Sequence, residues 1–525
     1  MMKTQHHKNL FAFILIAVAT FFVSDANAQT PAIEWQKNFG GSYEDFGSSV
    51  QQTIDGGFIV AGFSVSTNGN VSGNHGGFDS WIVKLDAAGN LAWQKSLGGS
   101  SEDYGTFVQQ TTDGGFVVAG YSYSNDGDVS GNHGGYDYWI VKLGTSGNLV
   151  WQKSFGGSED EGALSVQQTT DGGFIVAGFS QSSDGDVSGN HGGNDDWVLK
   201  LDAAGNLVWQ KSLGGSGNDY AIAIQQTTDG GFVVAGYSDS NDGDVSVNQG
   251  GLDYWIVKLD TAGNLIWQKS LGGSDIDLSN YVQQTSDGGF IVAGSSLSND
   301  GDVSGNHGGL IYGDYWIVKL DSAGDLLWQK SFGGSNEDDG TFILQTIDGG
   351  FFVAGYSDSN DGDVSGNHGS WDIWILQLDA DGNLAWQRDL GGSGEDYGAS
   401  VQQTTDGGFI LAGSSGSADG DVTYNHGIFD YWIVKLTSDT ATSIPSLSNS
   451  FISEYPNPAS DKITVSFSSS EKKKIQIINI LGQIVFTEEI NSAKKEIDVS
   501  EFPAGIYEVI AQTFTQKVEK KFLKQ

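Results

Sequence analysis

Short apolar runs of four to six residues recur along most of the chain, separated by Gly, Asn, Asp and Ser clusters and showing no helical period. Val108-Gln-Gln-Thr and Gly115-Phe-Val-Val-Ala-Gly flank Asp113-Gly114, a pair suited to the left-handed angles of a hairpin turn. After a long Gly/Asn/Asp/Ser loop to Asp137, Trp139-Ile-Val-Lys-Leu and Leu149-Val-Trp-Gln-Lys flank a second turn, Gly144-Thr-Ser-Gly-Asn148. The pattern predicts four short antiparallel strands and no helix.

That unit occurs seven times. Trp-Gln-Lys (or Arg) starts at Trp35, Trp93, Trp151, Trp209, Trp267, Trp328 and Trp386, with spacings of 58 residues except one of 61. A second tryptophan opens each Trp-Ile-Val-Lys-Leu-like segment, at Trp81, Trp139, Trp197, Trp255, Trp316, Trp374 and Trp432, leaving only Trp371 outside the pattern. Tryptophans placed this way pack blade on blade; stacking on sugar rings is the alternative for exposed ones. A period of this length with four strands per copy predicts a seven-bladed β-propeller. The first copy opens on a Trp-Gln-Lys strand without a preceding partner, and the last ends on Trp432-Ile-Val-Lys-Leu436 without a following one. If the ends meet, the N-terminal strand becomes the outermost strand of the last blade and no sheet edge is left open.

Three other segments differ in composition. Lys3 and Lys8 precede an apolar run from Leu10 to Val23 and then Ala26-Asn27-Ala28. This describes a secretory signal peptide over 1–28 cleaved after Ala28. The run is short for a membrane span of ~20 residues, and no later segment is apolar enough to cross a bilayer. The propeller is expected over 29–437, a Ser/Thr-rich linker over 438–450, and a small β-sandwich of alternating strands over 451–525.

Charge separates these parts. The chain carries 25 basic and 65 acidic residues, a net of −40. Residues 29–449 hold 13 and 54 of them, 13 − 54 = −41, whereas 450–525 hold 10 of each and balance. So acidic a ring is a poor partner for nucleic acid or anionic membrane. Zero cysteines remove disulfides and thiolate chemistry, and Arg388 is the only arginine.

Two resemblances follow from the quoted residues. Asp-Gly-Gly-Phe-Ile-Val-Ala-Gly, Asp-x-Trp-Ile-Val-Lys-Leu and Gly-Asn-Leu-x-Trp-Gln-Lys-x-Leu-Gly-Gly-Ser resemble exported bacterial SBBP-type β-propeller repeats over roughly 32 to 437. That family implies a fold and no shared activity. Tyr455-Pro456-Asn457-Pro458, the central Gly482 and Pro503-Ala-Gly505-Ile-Tyr507 are similar, in order, to the type A sorting domain of the type IX secretion system of Bacteroidota. The resemblance implies passage to the cell surface or medium through the type IX machinery. It also implies removal of the domain and attachment to surface lipopolysaccharide as possible fates.

Candidate chemistry lies on the face opposite the hairpins. An acid follows each Trp-Gln-Lys tryptophan by ten residues (Asp45, Asp103, Glu161, Asp219, Asp277, Asp338, Asp396), and another precedes each second tryptophan by two. Six long loops read Asp-Gly-Asp, at Asp126/Asp128, Asp184/Asp186, Asp242/Asp244, Asp300/Asp302, Asp361/Asp363 and Asp419/Asp421, with Asn68-Gly-Asn70 in the first copy. These hard oxygen donors admit Ca2+, though not at the spacing of a calcium loop; capping of their own turns is the other reading. Six loops carry a histidine in Asn-His-Gly, spread around the ring and expected to pack over the glycine turn rather than share a metal.

An enzyme or a specific binding site needs departures from the repeat. These are Leu310-Ile-Tyr312-Gly313, Trp371, Arg388, Tyr424 and the acid run Glu337-Asp-Asp339. Tyr312, Trp371 and Tyr424 lie in loops of the fifth to seventh copies and are expected to neighbour one another as ligand contacts. The first reading is a secreted or surface propeller acting as a non-enzymatic scaffold for a glycan, peptide or partner protein. The alternatives are an exported polysaccharide hydrolase or lyase using carboxylates of the acidic face, and a purely structural surface or adhesion component.

Overall fold

The computed structural model describes residues 30–438 except 310, and 453–455, 461–466, 473–479, 484–492, 494–500, 502–503, 505–512 and 517–524. The expected signal peptide with its cleavage at Ala28, most of the linker, and Pro456, Asn457, Pro458 and Gly482 lie outside the described residues. Ring and C-terminal segment are two separate compact units.

The ring is a seven-bladed propeller of four-stranded antiparallel sheets. It opens with β1 (Ile33–Phe39); blade one is then β2 (Asp45–Gln52), β3 (Phe58–Ser64), β4 (Asp79–Leu85) and β5 (Leu91–Leu97), paired in that order. Blades two to six repeat the pattern as β6–β25, between Asp103 and Leu390. Blade seven is β26 (Asp396–Gln403), β27 (Phe409–Ser415) and β28 (Asp430–Leu436), with β1 as its fourth strand in antiparallel register from Trp35↔Lys435 to Phe39↔Tyr431. The N-terminal strand therefore closes the ring as the sequence predicts.

The repeated residues explain the blade. In β4 every side chain is buried, and Trp81 Nε1 donates to Gln94 Oε1 of β5 at 2.7 Å, which accounts for the invariant glutamine of Trp-Gln-Lys. Trp93 of β5 meets Phe116 of the next blade edge-on at 5.8 Å, and this tryptophan joins neighbouring blades in the same way in every blade but the sixth, where Trp386 meets Phe352 of its own blade. Lys84 is buried and reaches Asp55 of the first hairpin at 3.1 Å; blade six substitutes Gln377 for that lysine. The inner strand β2 bulges between Gly47 and Ser49, bringing its backbone onto β3. A Cβ at Gly62 would lie 1.9 Å from Phe46 O, so only glycine fits the Val-Ala-Gly position.

The C-terminal unit holds two sheets: β29 (Ser453–Tyr455), β30 (Lys462–Ser466) and β33 (Lys494–Asp498) in one, and β31 (Lys473–Asn479), β32 (Ile484–Ile490), β34 (Gly505–Gln512) and β35 (Lys517–Lys524) in the other. Ile463, Val465 and Ile497 from the first pack with Ile475, Ile477, Tyr507 and Val509 from the second, which makes the expected sandwich. Gly505 opens β34, and the Tyr507 hydroxyl donates to Pro503 O at 2.8 Å, tying the Pro-x-Gly-Ile-Tyr segment together. Among the described residues no helix is long and apolar enough to cross a membrane.

Candidate functional site: the mouth of the central channel

Strand order places both hairpins of each blade on one face and the long loops on the other. The acids that begin inner and third strands lie at the loop face, and they are buried rather than presented to solvent. Asp45 accepts from Gly41 N at 2.7 Å and from the hydroxyls of Ser64 and Ser66. Asp79 accepts from His75 N at 2.9 Å and lies 2.7 Å from its Nδ1. The histidines thus lock onto a buried carboxylate, at 2.5–2.7 Å in all six copies, instead of packing over glycine as expected. His307 keeps its bond to Asp314 although three extra residues separate them. The outer nitrogen of His133 lies 3.9 Å from Asp186 of the next blade; in the fourth copy Gln249 makes the same reach, donating to Asp302 at 2.6 Å.

The two carboxylate rings also meet each other. A Cβ on Gly98 would stand 2.5 Å from Asp103 Oδ2 and 3.0 Å from Asp79 Oδ1, so glycine makes room for a buried acid pair between blades. Burial raises Asp45, Asp79, Asp137, Asp195, Asp253 and Asp372 to about 6, against the lowering effect of hydrogen bonds. None of these groups faces a ligand in solvent.

In the Asp-Gly-Asp loops the first carboxylate caps a turn. Ser100 N donates to Asp126 Oδ1 at 2.7 Å, and the equivalents at Asp184, Asp242, Asp300, Asp361 and Asp419 repeat this at 2.7–2.8 Å. Asn68 does the same for Ser42 N at 2.9 Å, so the position requires an acceptor and not a charge. The second carboxylates, Asp128, Asp186, Asp244, Asp302, Asp363 and Asp421, belong to the same loops; Asp186, Asp302 and Asp421 lie near His133, Gln249 and Arg388 respectively. Among the described residues no three His, Asp or Glu side chains converge on a metal position.

The proposed aromatic contacts separate. Trp371 is half-buried against Tyr397 (5.2 Å) and Tyr356 (6.1 Å), with its Nε1 buried and unpartnered. Tyr424 is 59% exposed and packs on His426, and Tyr312 is 41% exposed. Among the described residues no ring contact joins the three. Arg388 donates to Pro31 O at 2.6 Å and so serves ring closure.

What Trp371 leads to is the centre of the ring. The seven inner strands, which include β6 (Asp103–Gln110), β10 (Glu161–Gln168), β14 (Asp219–Gln226), β18 (Asp277–Gln284) and β22 (Asp338–Gln345), line a channel. Towards the hairpin face, glutamines link blade to blade; Gln51 Oε1 accepts from Gln110 N, and Leu344 interrupts this series in blade six. Towards the loop face a cavity of about 410 Å3 is walled by Asn280, Tyr281, Asp339, Phe342, Tyr356 and Tyr397 among others. Its one carboxylate is Asp339. Asn280 Nδ2 donates to Asp339 Oδ1 at 2.9 Å and the Tyr356 hydroxyl to Oδ2 at 3.0 Å, while Ser295 supplies a third hydrogen bond. Burial holds this carboxyl above its usual range; the Tyr356 and Ser295 bonds oppose the shift and the Glu337 charge adds to it.

This constellation is unique in the ring. Where blade six has Asp339, other copies have Phe46, Tyr104, Gly162, Tyr220, Leu278 and Tyr397. Where blade five has Ser295, blades one, three and six have Phe63, Phe179 and Tyr356, which pack on the following blade's Tyr104, Tyr220 and Tyr397 at 4.9–5.3 Å. Blade seven also carries a serine there, Ser414, which accepts from Gly47 N of blade one at 3.1 Å, but only between blades five and six does a carboxylate face the serine. Aligning the copies column by column reveals both changes, but only the fold shows that Ser295 and Asp339 face each other.

Residues 453–525 match the family model of the secretion system C-terminal sorting domain. The chain is thus a β-propeller protein carrying a type IX secretion sorting domain, exported to the cell surface or secreted. Among curated proteins it is similar to the regulatory protein FlaEY of Caulobacter vibrioides, 28% identical over 226 residues, 41% of this chain and 23% of that one. It is also similar to the ulvan lyase NLR42 of Nonlabens ulvanivorans, 31% identical over 80 residues, 15% of each. The chain therefore spans less than a quarter of the length of either relative. Among solved structures the ring is similar to the Neurospora crassa Pan2 WD40 domain (11% identity, TM-score 0.42, 77% of this chain and 98% of that one). PorZ, a surface component of the type IX system of Porphyromonas gingivalis, matches at 10% identity and TM-score 0.18 over 91% of this chain and 81% of that one. Likeness at this level transfers no activity.

Proposed function

We propose that the exported ring is a non-enzymatic binding scaffold for a glycan, peptide or partner protein, with its ligand seat at the loop-side mouth of the channel. The supporting observation is that the acids beginning the inner and third strands are buried and the first acid of each exposed Asp-Gly-Asp loop caps its neighbouring turn, whereas Asp339 lines an open cavity together with unique neighbours. A sevenfold surface offers no preferred point of contact; one break with a carboxylate, an amide and aromatic rings does. In this reading residues 29–437 form the binding unit, 438–450 a linker and 451–525 the export address, with signal cleavage after Ala28. The test is to present the exported protein to arrays of glycans and surface proteins, alongside a Ser295→Tyr/Asp339→Tyr double variant that installs the aromatic pair found between blades one and two, three and four, and six and seven. A partner bound by the wild type and lost by the variant supports the reading; partners bound equally by both overturn it. N-terminal sequencing of the exported protein checks the cleavage site.

A further inference from the structure

We infer that the Asp339 mouth accepts a primary ammonium group, as on a lysine side chain or a small amine. The inference rests on the scaffold reading and names the chemistry of its ligand. Asp339 is a carboxylate whose partners within the chain, Asn280, Ser295 and Tyr356, are all neutral donors. Among the described residues no Lys, Arg or His makes an ion pair with it. The ring's lysines lie elsewhere: those of Trp-Ile-Val-Lys-Leu lie beside the hairpin aspartates, and those of Trp-Gln-Lys on the outermost strands. An incoming cation is therefore the missing counter-charge.

The walls suit the same guest. Tyr281 and Phe342 stack at 3.7 Å, and with Phe107, Tyr356 and Tyr397 they give the cavity an aromatic lining, a kind of wall that tolerates an organic cation. At the rim Glu395 accepts from the Tyr397 hydroxyl at 2.9 Å, and the Glu337 charge acts on Asp339. A ring with a net charge of −40 over 29–437 (13 − 53) concentrates cations at such an opening and repels phosphate, sulfate or uronate. Of the ligand classes open to the scaffold reading, an amine-bearing one fits this charge and an acidic glycan does not.

Isothermal titration of the full chain with Nα-acetyl-L-lysine methylamide, n-butylamine and the neutral Nα-acetyl-L-norleucine methylamide tests this. Both amines are expected to bind one site and the norleucine derivative none; binding by the lysine derivative alone assigns the site to peptide lysine. Asp339→Asn should weaken the amine at least tenfold. Ala399→Lys, which places a tethered ammonium on the cavity wall, should abolish binding while the melting transition persists. Equal binding of norleucine, or amine binding unchanged in both variants, overturns the inference. If neither amine binds but a neutral array ligand is lost in Ser295→Tyr/Asp339→Tyr, the ammonium inference falls and the scaffold reading stands. If the double variant changes nothing that binds, both fall.

Discussion

Trp432 Nε1 donates to Gln36 Oε1 at 2.7 Å across 396 residues of chain. The same bond joins Trp81 to Gln94, Trp139 to Gln152 and Trp197 to Gln210 within single hairpins, at 2.7–3.0 Å. The closing blade therefore reproduces the internal ones with a strand from the other end of the ring, and this replaces any cross-link in a chain without cysteine.

Gln36→Ala leaves a buried indole N–H unpaired and should cost about 1–3 kcal/mol. Gln94→Ala in blade one should cost a similar amount, because the bond is the same. Deleting β1 is different in kind: it uncovers β28 as an edge and should cause association of rings. Urea unfolding of the two point variants and light scattering of the deletion check this.

Stability should fall as pH rises from about 4 to 6. Burial lifts six loop-face aspartates from 3.8 to about 6, so the folded ring holds protons that the unfolded chain has released. His133 and His307 act in the same direction: burial lowers them, but their aspartate partners outweigh it and raise them, so their contribution is complete below ~6.5 and lost as pH passes the folded value. At the other face Asp113, Asp171, Asp229, Asp287 and Asp406 are held at about 2, and their contribution disappears as pH falls from 3.8 towards 2. Melting midpoints should therefore peak at about pH 4, falling above it as the raised aspartates and then the histidines release protons, and falling below it as the hairpin aspartates are protonated. A midpoint that climbs from pH 5 to 8 would contradict this.

Asp389 is a local fault, of a kind shared with Asp196 of blade three, whose two buried oxygens also have no partner. Only 5% exposed, with neither oxygen partnered, Asp389 is pushed to about 8 by burial and by the charges of Asp372 and Asp338. Five other blades carry serine there: Ser96, Ser154, Ser212, Ser270 and Ser331. Asp389→Ser should stabilise the ring by about 1–3 kcal/mol at pH 9, and by less at pH 6, where the acid is protonated. Denaturant titrations at the two pH values read the difference.

Calcium removal should leave the ring's melting midpoint unchanged, because the first aspartate of each Asp-Gly-Asp loop caps a serine N–H and Asn68 serves equally well in blade one. Scanning calorimetry with and without EDTA decides it; a drop of several degrees would restore those loops as metal ligands.

The repeat, its closure and the sorting domain were legible because each rests on short-range pattern. Trp-Gln-Lys spacing fixes the blades, and unpaired first and last strands imply their union. The roles of the acids were less legible, since burial of Asp45 or Asp79 depends on how one blade covers the next. The pairing of His75 with Asp79 hides in a four-residue spacing that reads as loop. Asp339 was visible only as part of an acid run. Its meaning depends on Asn280, 59 residues earlier on the neighbouring blade. Trp371 was singled out correctly as an irregularity, but its neighbours are Tyr356 and Tyr397 rather than Tyr424.

The most direct test of where this ring binds compares two sets of substitutions against the tightest array ligand. One set is Ser295→Tyr/Asp339→Tyr at the mouth. The other is Asp126→Asn with Asp242→Asn in the repeated loops, where the capping bond survives as it does with Asn68. The mouth variant should lose at least tenfold in affinity with its fold intact, and the loop variant should bind as the wild type does. Loss in the loop variant with the mouth variant unaffected would contradict the account and return binding to the repeated acidic face.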